Sequence, residues 1–354
     1  MTPKRLITPL LALALAGCGP SDPTAEVTTA LAAQVYLPSY TAWQQADREL
    51  AERAGELCTD NGQLEAARQA FYGAFAAWSA LQPLMIGPLA EGNRAWQVQF
   101  WPDKKNLVQR QVEALLKRDS QVSAEQLAKS SVVVRGLTAA EYILFDPAID
   151  LTQAEQKARY CPLLSAIGVH QKALAGEILA QWQAPETGMS AQLKVFPNER
   201  YAESSEALAD ILRAQVSAID GVKKRLNLPL GRQSKGISQP FQAEAWRSEA
   251  SLTNLDATLA SAEALWLGVD GHGIKQLLSD ADHDLGARID SAYQDSRARL
   301  AALRGNLTEL LKSPAGVEQL NELYDSLNRL HRLQESELAQ VLGVQIGFNA
   351  HDGD

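Results

Sequence analysis

Two short segments combine residue types that can do chemistry. The first is Phe100-Trp101-Pro102-Asp103-Lys104-Lys105, an aromatic pair beside one acid and two bases. The second runs from Arg135 to Phe145, where Arg135, Thr138, Glu141 and Tyr142 fall near one stripe of a helix that is otherwise almost wholly apolar. A guanidinium and a carboxylate on such a helix must be paired or face a cavity, because an isolated buried charge is very unfavourable. Two readings follow. One is an internal ion pair that fixes helix register. The other is a polar pocket that takes a small anion through Arg135 and Arg247, or a metal through Glu141, Asp103 and Glu244. Gly136 costs about 1 kcal/mol relative to Ala inside a helix, so its presence points to close approach by another backbone.

The remaining reactive residue types are thinly spread. No HExxH, glycine-rich phosphate loop or GxSxG occurs. His331 and Glu335 stand four apart and read as an exposed helix pair rather than two metal ligands. Asp280, Asp282, His283 and Asp284 cluster at a helix start, where the helix dipole favours acids. Asp352 and Asp354 are too few ligands for a calcium loop. Met85 and Met189 are too few thioethers for a copper site once Met1 is lost with a leader.

The elements that must position these residues are helical. Ala and Leu dominate, β-branched residues are few, and no long stretch alternates with period two. Helical spacing covers 29–57, with a kink expected at Pro38, then 63–81 and 103–117. Ser123 and Gln126 form a capping box that opens a helix to about Phe145, and Thr152 with Glu155 opens another to about Trp182. Residues 183–200 lose periodicity and gather Pro and Gly. Further helices are expected at 201–226, 241–267, 281–304 and 314–342, the last capped by Ser313 with Pro314 at its first position. Residues 227–240 read as a loop. Long helices with short links bury most easily as antiparallel bundles. The expected organisation is a leader at 1–17, a flexible tether at 18–28, an N-terminal helical domain at 29–183, a junction at 184–200 and a C-terminal bundle at 201–354.

The chain's start sets its expected compartment. Lys4 and Arg5 precede a short apolar run, and Leu15-Ala16-Gly17-Cys18 resembles the lipobox of bacterial lipoproteins. In such signals the cysteine, here Cys18, becomes the acylated mature N-terminus and anchors the protein to a membrane. An exported protein tolerates disulfides, and the two other cysteines, Cys58 and Cys161, are expected to bond. No aspartate follows Cys18 directly, so the simplest inner-membrane retention signal is not evident. The outer membrane, facing the periplasm, is the expected destination. The 354 residues carry a net charge of −9, with no basic run longer than Lys223-Lys224-Arg225. Nucleic acid is therefore not an expected partner, since phosphate affinity depends on clustered cations.

The two segments above, with Ala243-Glu244-Ala245-Trp246-Arg247-Ser248 and the C-terminal Gly343–Asp354, resemble the imelysin-like family of bacterial envelope lipoproteins. The resemblance runs from about residue 30 to the end. It implies an all-α fold of two bundle-like domains, export to the cell envelope and a link to iron uptake, with a polar pocket near the contact between domains. That pocket would gather Arg135, Thr138, Glu141 and Tyr142 with Trp101, Asp103, Glu244, Arg247 and Ser248. It also implies a metallopeptidase class, with iron or another divalent metal as possible cofactor. The family hallmark is GxHxxE. Here Gly136 and Glu141 match it, but Thr138 stands where the histidine is expected. A hydroxyl is a weak ligand beside neutral imidazole. The expected function is accordingly a non-enzymatic lipoprotein that binds a small ligand or an iron-uptake partner protein. A metal-dependent peptidase and a purely structural envelope lipoprotein are the alternatives.

Overall fold

A computed structural model of the chain describes residues 22–59 and 63–346. Helices are the regular structure throughout these residues. Helix α1 (Pro23–Leu31) runs through a π turn (Ala32–Tyr36) into α2 (Leu37–Thr59). There follow α3 (Leu64–Ala80), the short α4 (Arg94–Val98), α5 (Leu107–Arg118), the short α6 (Ala124–Ala128), α7 (Leu137–Phe145) and the long α8 (Ala154–Gln183). A one-turn α9 (Met189–Gln192) leads to α10 (Ser204–Leu230), α11 (Ser251–Leu267), α12 (His283–Ala302), α13 (Leu307–Leu310) and α14 (Pro314–Arg332). A second π turn (Leu333–Leu338) connects α14 to α15 (Ala339–Val341).

The fold is all-α, with two bundle-like halves. In the first, α2 packs along α8 and α3, and α5 and α7 close the side. In the second, α10, α11, α12 and α14 pack around one another. Periodicity explains which faces are buried. In α5, Val108, Val112, Leu115 and Leu116 recur at helical spacing and face inward, while Arg110 and Lys117 face water. The halves share one continuous apolar core, because α3 packs on α11 and α1 lies on α10. Cys58, in the last turn of α2, is disulfide-bonded to Cys161 near the start of α8, as expected.

Several sequence expectations are corrected. Residues 23–28 are not tether: Asp22 caps α1 through the Thr24 and Ala25 N–H groups, and Val27 and Thr28 are buried. The kink expected at Pro38 is a π turn just ahead of it, where the missing proline N–H is absorbed. Asp103 caps the next helix from four residues away, so α5 starts at Leu107. The expected helix from Ser123 to Phe145 is broken. Its capping box forms, but α6 lasts five residues and Ser131 caps a separate 3-10 turn before α7 begins. No cap forms at Thr152, whose N–H and hydroxyl go to Asp150 instead. Helix α10 continues through Pro229 to Leu230 and ends on Gly231 in the left-handed region. The helix expected at 241–267 begins only at Ser251. The His331–Glu335 pair forms at 3.4 Å, but the imidazole is buried rather than exposed. Cys18, the leader, and residues 347–354 with Asp352 and Asp354 lie outside the described residues.

Candidate functional site

Close approach of two backbones sets the start of α7. Gly136 lies against the end of α4, where a Cβ would stand 2.2 Å from the Val98 carbonyl oxygen. The contact the sequence implied at Gly136 therefore exists, and only glycine fits it. It brings Thr138 onto the Phe100 backbone: Oγ1 donates to the Phe100 carbonyl at 3.1 Å and accepts the Phe100 N–H at 3.3 Å. Arg135 sits before α7 rather than on it. Its guanidinium forks onto the Ser130 carbonyl, with Nε at 2.7 Å, and Nη1 reaches Gln97 Oε1 at 3.4 Å. The expected stripe is thus overturned: Arg135 and Glu141 neither pair nor share a face.

Glu141 points across to the second half. It is 2 % exposed, and its Oε1 accepts both the backbone N–H and the hydroxyl of Ser248, each at 2.9 Å. Burial pushes its carboxyl pKa above the ordinary value, and the Ser248 bonds and the nearby Arg247 charge offset only part of that rise. Arg247 itself donates from Nε to Asp146 Oδ2 at 2.8 Å and from Nη2 to Asn106 Oδ1 at 3.1 Å. Its guanidinium also lies over the rings of Tyr142 and Trp246, at 5.2 and 4.3 Å. Tyr142 donates to Glu113 Oε1 at 2.9 Å, and Tyr160 shares the same acceptor at 2.7 Å. Burial and the Glu113 carboxylate raise both phenol pKa values, that of Tyr160 to about 12.

A second cluster lies beside the first. Glu244 is also buried, and its Oε1 accepts Gln99 Nε2 at 2.7 Å and Arg225 Nε at 2.6 Å, while its Oε2 has no partner among the described residues. Gln99 in turn accepts Trp78 Nε1 at 2.7 Å. Trp101 lies 5.7 Å from the Arg225 guanidinium and donates to the Gln242 carbonyl at 3.2 Å. The loop that presents Glu244, Arg247 and Ser248 holds Ala245 at φ 51° and Glu249 at φ 61°, conformations unfavourable for side-chain-bearing residues. Polar contacts across the seam hold it there, which explains why helical spacing misled over 241–250.

Of the expected site residues, Glu141, Tyr142, Arg247 and Ser248 come together, with Trp101 and Glu244 in the adjoining cluster. Asp103 serves as a helix cap, Thr138 faces the Phe100 backbone and Arg135 faces the Ser130 carbonyl. Sequence reasoning missed Asp146, Gln99, Arg225 and Glu113. Arg225 left a signal, a charge on the apolar face of α10; Asp146 reads only as a helix terminator. Two surface cavities, of about 530 and 560 Å³, flank α5. Neither is lined by Glu141, Glu244, Arg247 or Ser248.

The model of the imelysin family, peptidase family M75, matches residues 36–334. The chain belongs to the imelysin family. Two solved structures share the imelysin fold. An imelysin-like protein from Psychrobacter arcticum superposes with a TM-score of 0.75 at 22% identity, covering 93% of this chain and 98% of that one. A putative iron-regulated protein A precursor from Parabacteroides distasonis superposes with a TM-score of 0.69 at 14% identity, covering 90% of this chain and 95% of that one. No curated protein matches the chain.

The donor set of this imelysin does not fit a metal at the family motif. The Thr138 hydroxyl is engaged as donor and acceptor by one backbone unit, and the Glu141 oxygen that faces the seam is taken by Ser248. Among the described residues no group of three His, Cys, Asp or Glu side chains is placed to hold an ion. His272 rests against Gln276 at 3.3 Å.

Proposed function

We propose that this imelysin is a non-enzymatic component of the bacterial cell envelope. Anchored through lipid on Cys18 at the periplasmic face of the outer membrane, it binds a ligand or partner protein at the seam between its two halves. One observation carries the reading: Glu141 of the family motif is spent on Ser248 across the seam, with Thr138 in place of the metal-binding imidazole. A catalytic zinc needs three protein ligands and an open water position, and these side chains do not supply them. Trp101 is the part-exposed recognition group at the seam, over Arg247, Glu244, Tyr142 and Ser248, which are buried in contacts there. The service to iron uptake rests on family membership and on the iron-regulated name of the Parabacteroides relative.

Incubation of the purified protein with denatured casein and added zinc tests the reading. No cleavage is expected. Cleavage that disappears in Glu141→Gln would overturn it in favour of a peptidase.

A further inference from the structure

Two loops lie side by side at the seam. Residues 99–106 precede α5 and residues 231–250 precede α11. Trp101 Nε1 donates to the Gln242 carbonyl at 3.2 Å and Arg247 reaches Asn106 Oδ1 at 3.1 Å, so the loops form one surface. That surface carries the two most exposed large hydrophobic side chains of the described residues, Phe241 at 70% and Ile237 at 66%. Phe241 is held edge-on against the half-buried Trp246, ring centroids 4.9 Å apart, rather than folded into the core. An aromatic side chain held exposed by a second ring, with another exposed apolar side chain four residues before it, is a feature of interaction sites.

The charge here is opposite to that of the molecule. Lys104, Lys105 and Lys235 are exposed and have no ion-pair partner among the described residues. The acids of the same loops are engaged. Asp103 accepts the N–H groups of Leu107 and Val108, and Glu244 is paired with Arg225. Glu249 is the one exposed acid on these loops. A chain of net charge −9 therefore presents a basic, apolar surface at this place.

We propose that this surface docks an acidic segment of a partner polypeptide whose apolar side chains pack on Phe241 and Ile237. The proposal rests on the reading of the protein as an anchored binding component and names the class of its partner. Charge complementarity selects the sign of the partner. Position selects a polypeptide over the anchoring bilayer. Helix α10 has 27 residues and so is about 40 Å long. Ser204, at its start, bonds to Asp22, four residues after Cys18. The surface begins after Gly231, at the other end of the rod. A lipid on Cys18 would hold one end of α10 near its membrane and turn this surface away from it. Two copies face to face would oppose like charges.

The test uses the full chain and a fluorescein-labelled random copolymer of glutamate and tyrosine, followed by anisotropy at low ionic strength. The expected result is binding that weakens with added salt and exceeds binding to polyglutamate. It should fall at least about tenfold in both Phe241→Ser and the triple variant Lys104→Glu, Lys105→Glu, Lys235→Glu. Far-UV circular dichroism should show both variants folded. Absence of binding, or equal binding by the variants, would overturn the proposal. So would co-sedimentation with phosphatidylglycerol vesicles that the same substitutions abolish, since the surface would then belong to a lipid partner. The recovered copolymer is also sized on a gel. Its degradation would contradict the non-enzymatic reading and leave the docking result to stand separately.

Discussion

Single residues decide what the family motif does in this chain. Glu141 was legible in the sequence as a charge on an oily helix that needed a partner. Its partner was not, because Ser248 lies 107 residues away and serine carries no distinguishing signal. Arg135 was misjudged, since the turn before α7 removes it from the helix and hands its guanidinium to a carbonyl. Asp47 gave no signal at all. It sits in α2 with both carboxylate oxygens buried and without partners among the described residues, and burial raises its pKa well above the ordinary carboxylate range. Its raised folded pKa means that the native state holds this proton more tightly than the unfolded chain. The associated stability is complete below the ordinary aspartate pKa and is lost as pH rises through the folded value. Glu141 acts in the same direction, with part of the effect offset by Ser248 and Arg247. Melting temperatures measured from acid to neutral pH should therefore decline more steeply for the wild type than for Asp47→Asn. Parallel curves would show that Asp47 does not titrate in a buried site.

Helices and their ends were read well where a local rule governs them and poorly where distant contacts do. The caps at Ser123 and Ser313, and the bodies of α3, α8 and α12, follow from side chains within a turn or two. The loop at 243–250 does not, because its two left-handed residues are held by Asp146, Gln99 and Glu141 from the other half. Arg247 is one of these clamps, an ion pair with Asp146 whose side chains are 3% and 10% exposed. Removing one partner of a buried pair leaves the other charge unpaired, so Arg247→Ala should cost about 3–5 kcal/mol in urea unfolding. A change near zero would place the pair in effective contact with water. Gly136→Ala should destabilise by about 1–3 kcal/mol, since its Cβ would meet the Val98 carbonyl rather than a flexible side chain. A neutral outcome would mean that α4 and α7 can separate freely. The disulfide links α2 to α8 across 103 residues, and a loop of that size stabilises by roughly 4–5 kcal/mol in the chain-entropy account. Cys58→Ser paired with Cys161→Ser should lower unfolding stability by an amount approaching this. Reagent-accessible thiols in the untreated protein would contradict the bridge.

Across the whole molecule, the all-α class was legible from composition and period, and the two-bundle arrangement from the lengths of the helices and their breaks. The way the halves join was not, because that is written in pairs such as Tyr72 with the Ser248 carbonyl and Thr258 with the Ser79 carbonyl, far apart in the chain. On the proposed reading, Glu141 of the imelysin motif, with Thr138 beside it, joins the two halves through Ser248 and holds no ion. Elemental analysis of the protein after equilibration with zinc or iron and removal of free metal tests that claim most directly. The account predicts no stoichiometric metal that depends on Glu141, with wild type and Glu141→Gln alike. One equivalent retained by the wild type and lost in Glu141→Gln would contradict it.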